Sequence, residues 1–141
     1  MAKTICTILG VAFLLAGILG FVAPGLLGLH LSLAHNLIHI ISGAAALYFG
    51  LAGTLASARL FCLVFGAVYL LLGVVGFLAG GDKQHTIAGI THAGTTDSNL
   101  LQLLPGSLEL AMRDHGLHIL LGIVFLIGGL ITKADVRHAV D

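Results

Sequence analysis

The chain has 141 residues, 58% of them apolar and only 9% charged, with a formal net charge of zero. A soluble domain carries about 25% charged residues, so this composition excludes a water-covered globule. Without any basic or acidic block, nucleic acid is excluded as an expected partner, and two cysteines are too few for the disulfide framework of a small secreted protein.

Charged side chains are missing from Thr4 to Ala58, from Leu60 to Gly81 and from His115 to Thr132. A membrane-crossing helix needs about 20 mainly apolar residues. The first run holds two crossings divided at Ala23-Pro24-Gly25, and the others hold one each. The expected architecture is an all-α, integral membrane four-helix bundle, a single domain with helices over about 4–23, 30–54, 59–79 and 108–132. One long outer loop covers 82–107.

The first span could be mistaken for a signal peptide, but an internal repeat argues that it is retained. Residues 2–25 align without gaps on 58–81: Cys6 meets Cys62, Gly10 meets Gly66, Gly17 meets Gly73, and Gly20-Phe21 meet Gly76-Phe77. In the second and fourth helices, Asn36-x-x-His39-x-x-x-Gly43 corresponds to His115-x-x-His118-x-x-x-Gly122. The chain therefore reads as a tandem duplication of a helical hairpin, its halves related by a pseudo-two-fold axis along the membrane normal. Lys3, Arg59, Lys133 and Arg137 on one side outnumber Lys83 and Arg113 on the other, so both termini are expected in the cytoplasm.

Leucine gains little by leaving lipid for another helix, so the recurrent glycines are expected to pack helices closely. Cys6 and Cys62 read as small packing residues near the cytoplasmic end. In the loop, Asp82–Ser98 shows no helical period. The leucine-rich Asn99–Met112 is expected to hold a short interfacial helix before Pro105, with helix four starting near Ser107.

Seven of the eight histidines fall on the outer half. His30, His85 and His92 read as solvated loop residues. Counted from the inner helix ends at 1.5 Å per residue, His39 and His118 lie roughly 8 Å below the outer edge of the hydrocarbon. Polar groups at that depth face the bundle interior and find partners. His35 and His39, Asn36 and His39, and Asp114 and His118 are spaced to share helix faces. One polar cluster of His35, Asn36, His39, Asp114, His115 and His118 is therefore expected.

Three readings of the cluster follow. The first is a structural hydrogen-bond network in which neutral histidines and Asn36 satisfy one another, with no cofactor. The second is a haem or transition-metal site, with His39 and His118 as axial haem ligands or three or four cluster members on Zn²⁺ or Cu, and Asp114 orienting His118. The third is a proton- or solute-handling site, against which stands the lack of ionisable groups below Gly43 and Gly122. Nothing in the sequence suggests a catalytic triad, and no catalytic residue is assigned.

With those residues in view, the chain resembles a bacterial family known only as domain of unknown function 4383, whose members are small four-helix membrane proteins. The resemblance is carried by His35-Asn36-Leu37-Ile38-His39 with Gly43, by Ala58-Arg59, Tyr69 and Gly76, and by Asp114-x-x-Leu117-His118-x-x-x-Gly122. The chain departs from the family pattern at His115, at Gly116 and in the length of the outer loop. The resemblance implies the fold and no activity. The expected role is a non-enzymatic structural or accessory subunit in a bacterial plasma membrane, in contact with the lipid bilayer and with a membrane protein partner or a second copy of itself.

Overall fold

The computed structural model describes residues 1–87 and 90–133, with the side chains of 85–97 excepted. Arg137 and His138, and the side chains of His85 and His92, lie outside the described residues. Four helices form the bundle: α1 (Ala2–Gly20), α2 (Leu33–Leu51), α3 (Leu55–Ala79) and α4 (Met112–Ile131). Each is long and apolar enough to cross a membrane. The surface has the composition this requires. Ile8, Leu15, Ile41, Leu51, Leu60, Leu71, Leu120 and Leu130 are all more than half exposed on the helices, an apolar belt suited to hydrocarbon rather than to water.

The buried stripes are built mainly of small, polar and aromatic residues instead. In α1 they run Ala2, Cys6, Gly10, Phe13, Gly17, Gly20, and in α3 Ala58, Cys62, Gly66, Tyr69, Gly73, Gly76, the same register 56 positions on. In α2 the buried residues include His35, Asn36, His39, Gly43, Ala46 and Gly50, and in α4 Asp114, His115, His118, Gly122, Phe125 and Gly129. Contacts repeat with the register. A Cβ at Gly10 would lie 3.0 Å from the Gly43 carbonyl oxygen, and one at Gly66 3.0 Å from that of Gly122. So α1 packs on α2 and α3 on α4 by the same backbone approach, which small residues permit.

The hairpins meet along α1 and α3, where residues at matching positions touch each other. The Cys6 and Cys62 Sγ atoms are 3.4 Å apart, and the Phe13 and Tyr69 rings stack at 5.3 Å. Beyond them Phe61, Phe65 and Phe125 complete an aromatic core. At the terminal end, Lys3 Nζ donates to the Leu51 carbonyl (3.5 Å) and Arg59 Nε to that of Gly129 (3.0 Å). Both cations thus meet the C-terminal carbonyls of a neighbouring helix, where the dipole favours positive charge.

The connections differ from expectation. A 3₁₀ turn over Leu26–Gly28 and an extended Ser32 delay α2 to Leu33. Thr54 starts α3 earlier than Arg59, its Oγ1 accepting from the Ser57 N–H (3.1 Å). The same two residues show why Thr54 and Ser57 are cap residues here.

The long connection holds no helix among its described residues. It forms β1 (Gly81–Ile87), β2 (Ile90–Leu104) and β3 (Leu108–Leu110), antiparallel in the order β1-β2-β3. Pro105 supplies no N–H and Gly106 takes φ +77°, so the chain reverses there and Leu101 pairs with Leu110. Pairing of 101–104 with 108–110 replaces the expected interfacial helix and moves the start of α4 from Ser107 to Met112. Glu109, fully buried, closes the turn by accepting from Gly106 N–H (2.9 Å) and Gln102 Nε2 (3.0 Å).

Candidate metal centre

Three histidines converge at the loop end of the bundle. His35 and His39 project from successive turns of α2, as i,i+4 spacing dictates, and His118 comes from α4. All are at most 4% exposed. One ring nitrogen from each lies within 4.8 Å of the other two. His35 and His39 meet edge to face at 4.4 Å, and His35 lies 5.7 Å from His118 between ring centroids. Below them, Phe13 stacks on His39 at 5.4 Å and Tyr69 meets His118 at 5.3 Å. Those aromatic contacts hold the two rings that occupy matching positions in the two hairpins.

The hydrogen bonding of His35 fixes its chemistry. Its Nδ1 lies 2.8 Å from the His30 carbonyl oxygen. A carbonyl only accepts, so Nδ1 carries the proton and Nε2 keeps its lone pair. His35 Nε2, His39 Nδ1 and His118 Nδ1 are all buried without a hydrogen-bond partner among the described residues. A metal-ligating histidine has this pattern, one nitrogen donating to a carbonyl and the other directed at the ion. Three imidazole nitrogens at about 2.0–2.1 Å from a tetrahedral Zn²⁺ would lie about 3.3 Å apart.

The other expected cluster members are elsewhere. Asn36 packs on Gly20 and donates from Nδ2 to the Leu31 carbonyl (3.3 Å). His115 packs on Gly76 beside Phe77, with Nε2 2.8 Å from the Asn99 carbonyl oxygen. Each thus sits inside its own hairpin, at matching positions, and neither completes a network with the three histidines. Asp114, which the metal or haem reading places behind His118, does not reach it. Its carboxylate accepts from the Ala111 N–H (2.7 Å) and the His30 N–H (3.0 Å). At the third position of α4 it folds back onto the helix's free N–H groups, which outcompete a side chain one turn on.

His30 is also corrected: it is buried, and its Nε2 lies 3.3 Å from Glu109 Oε2. Sequence reasoning missed both residues. Glu109 had a signal, an acid within a leucine run, since such a group is buried only with partners. His30 had none, because the turn that places it depends on Leu27 at φ +56° and Gly28 at φ +72°.

A cavity of about 200 Å³ adjoins the three histidines between α2 and α3. His35, His39, His118, Ser42 and Tyr69 are its polar lining. The remainder is apolar, including Ile38, Phe65, Val68 and Leu72 from the helices and Leu103, Leu108 and Leu110 from the strands.

A family profile described as "Domain of unknown function (DUF4383)" matches residues 3–131. No curated protein and no solved structure matches the chain.

Proposed function

The chain belongs to this domain-of-unknown-function family, which brings no activity with it, and from the chain's own residues we propose a membrane protein that binds one transition-metal ion through His35, His39 and His118. The observation that carries this reading is the convergence of three buried histidines, each offering a ring nitrogen within 4.8 Å of the others and each with a buried ring nitrogen that lacks a hydrogen-bond partner among the described residues. A structural network would satisfy those nitrogens internally, because a buried polar atom without a partner costs about 1–3 kcal/mol. An ion satisfies all three at once. An all-imidazole set without thiolate or carboxylate suits Zn²⁺ or Cu. Haem is favoured less, because the cavity of about 200 Å³ is small for a macrocycle.

The matching burial registers and contacts support descent by duplication of a hairpin. On that reading His39 and His118 are equivalent residues beside the axis, and His35 is an addition made by one half alone. The positions of Lys3, Arg59 and Lys133 against Lys83 and Arg113 support cytoplasmic termini in a bacterial plasma membrane. The centre would then lie near the outer face. An accessory-subunit role is compatible with such a site.

Metal analysis and an absorption spectrum of detergent-purified protein test the reading. After equilibration with micromolar Zn²⁺ or Cu²⁺ and gel filtration, one ion per chain is expected, with no Soret band. His39→Ala and His118→Ala should each retain less than about a tenth of it, since loss of one ligand from three removes several kcal/mol of binding. A wild-type protein that folds and holds no ion sinks the proposal. Cys6→Ala combined with Cys62→Ala, at the far end of the bundle, will hold the ion as well as the wild type.

A further inference from the structure

We propose that the cavity receives the carboxylate of a long-chain fatty acid, its head on the fourth position of the metal ion and its chain leaving between α2 and α3 into the bilayer. The inference rests on the metal reading and adds a ligand class to it. Three neutral imidazoles leave a divalent ion with two uncompensated positive charges in a low-dielectric site, which is costly unless an anion joins it. Neither neighbouring acid supplies that anion. Asp114 is held by the His30 and Ala111 N–H groups, and Glu109 by Gly106, Gln102 and His30.

The cavity selects the remainder of the ligand. At about 200 Å³ it is a little larger than the roughly 150 Å³ apolar cavity that holds benzene. It has room for a small head and the first methylenes, and for no two-chain lipid. The lips are Ile38 on α2 and Val68 on α3, which are 41% and 53% exposed on the apolar flank of the bundle. A ligand entering there comes along the hydrocarbon and must carry an apolar chain. Leu108 and Leu110 of β3 roof the cavity on the loop side, so the wet route is the more obstructed one. A compact anion attached to a single chain meets all these conditions.

The test uses full-length protein in fatty-acid-free nanodiscs, with radiolabelled palmitate as probe and metal content measured on each sample. Expected is saturable binding at one palmitate per chain, at least about tenfold tighter in metal-loaded than in metal-stripped protein, a difference of about 1.4 kcal/mol. Methyl palmitate, which lacks the anionic head, should not compete. Val68→Trp, at an exposed lip, should abolish palmitate binding and keep the ion; Ile38→Trp should do the same from the opposite lip. Metal-loaded protein that ignores palmitate overturns the inference and leaves the metal reading standing. So does equal binding to stripped protein, competition by the ester, or indifference to both lip variants. A protein that takes up no metal overturns both, and the metal analysis alone reveals that case.

Discussion

Gly122→Ile will leave no folded monomer in detergent, and Gly122→Ala will lower stability by about 3 kcal/mol or more, at the upper end of the cost of overpacking a well-packed core. A Cβ at Gly122 would lie 2.5 Å from Leu70 N, 2.8 Å from Leu70 Cα and 2.9 Å from the Gly66 carbonyl oxygen. All three are backbone atoms of α3, so no rotamer change relieves the clash. The helices would have to separate. In lipid that loss is not offset by a hydrophobic term, because separated helices exchange protein contacts for lipid contacts. Gly43→Ala should fail in the same direction, since its Cβ would lie 2.9 Å from both the Gly10 carbonyl oxygen and Leu14 N. Gly116→Ala is the control. Nothing lies within 4 Å of a Cβ there, so it should be neutral or stabilise by up to about 1 kcal/mol through helix propensity. Thermal or denaturant unfolding followed by circular dichroism measures all three. Equal losses at Gly116 and Gly122 would show that close backbone approach does not hold the hairpins together.

The same glycines explain what could be read from the sequence. Spans, hairpins and matching registers all rest on periodicity over about 20 residues, and a long period averages out local error. The outer connection offered no such length. Leucines from Leu100 to Leu110 fit a helix face and a strand alternation equally well. Pro105-Gly106 decides between them only once its reversal is known to pair 101–104 with 108–110. For the site, repeat logic located His39 and His118 and missed how the helix faces divide. Spacing of three or four residues defines a face no more narrowly than about 100° of arc. Asn36 and His39 share such an arc, yet Asn36 turns toward Gly20 and His35 toward the centre. Which neighbour turns inward depends on rotation of α2 against α1, set by Gly17 meeting Ile40 and the Asn36 carbonyl. No pattern within α2 alone contains that information.

If the proposed centre holds its ion, Asp114→Ala will weaken metal binding by about 10- to 100-fold, although the carboxylate touches none of the three proposed ligand histidines, because partners behind a ligand tune affinity on that scale. Asp114 and His35 occupy matching positions of the two hairpins, and the two halves put them to opposite uses. His35 presents Nε2 to the centre. Asp114 clasps the His30 N–H at 3.0 Å, and the His30 carbonyl takes the His35 Nδ1 proton at 2.8 Å. The acid therefore fixes the ring orientation of the histidine through the backbone of one residue, His30. Its removal also strips the buried His30 and Ala111 N–H groups of their acceptor, at about 1–3 kcal/mol each, so stability should fall as well. Asp114→Asn keeps one acceptor oxygen and should lie between alanine and wild type in both respects. A merely structural role and a positioning role separate in a double-mutant cycle on metal affinity. If Asp114 acts through His35, then in a His35→Ala background its replacement changes the residual affinity little, while the stability loss persists. Full additivity of the two affinity losses would mean that Asp114 acts on the ion by some route other than His35.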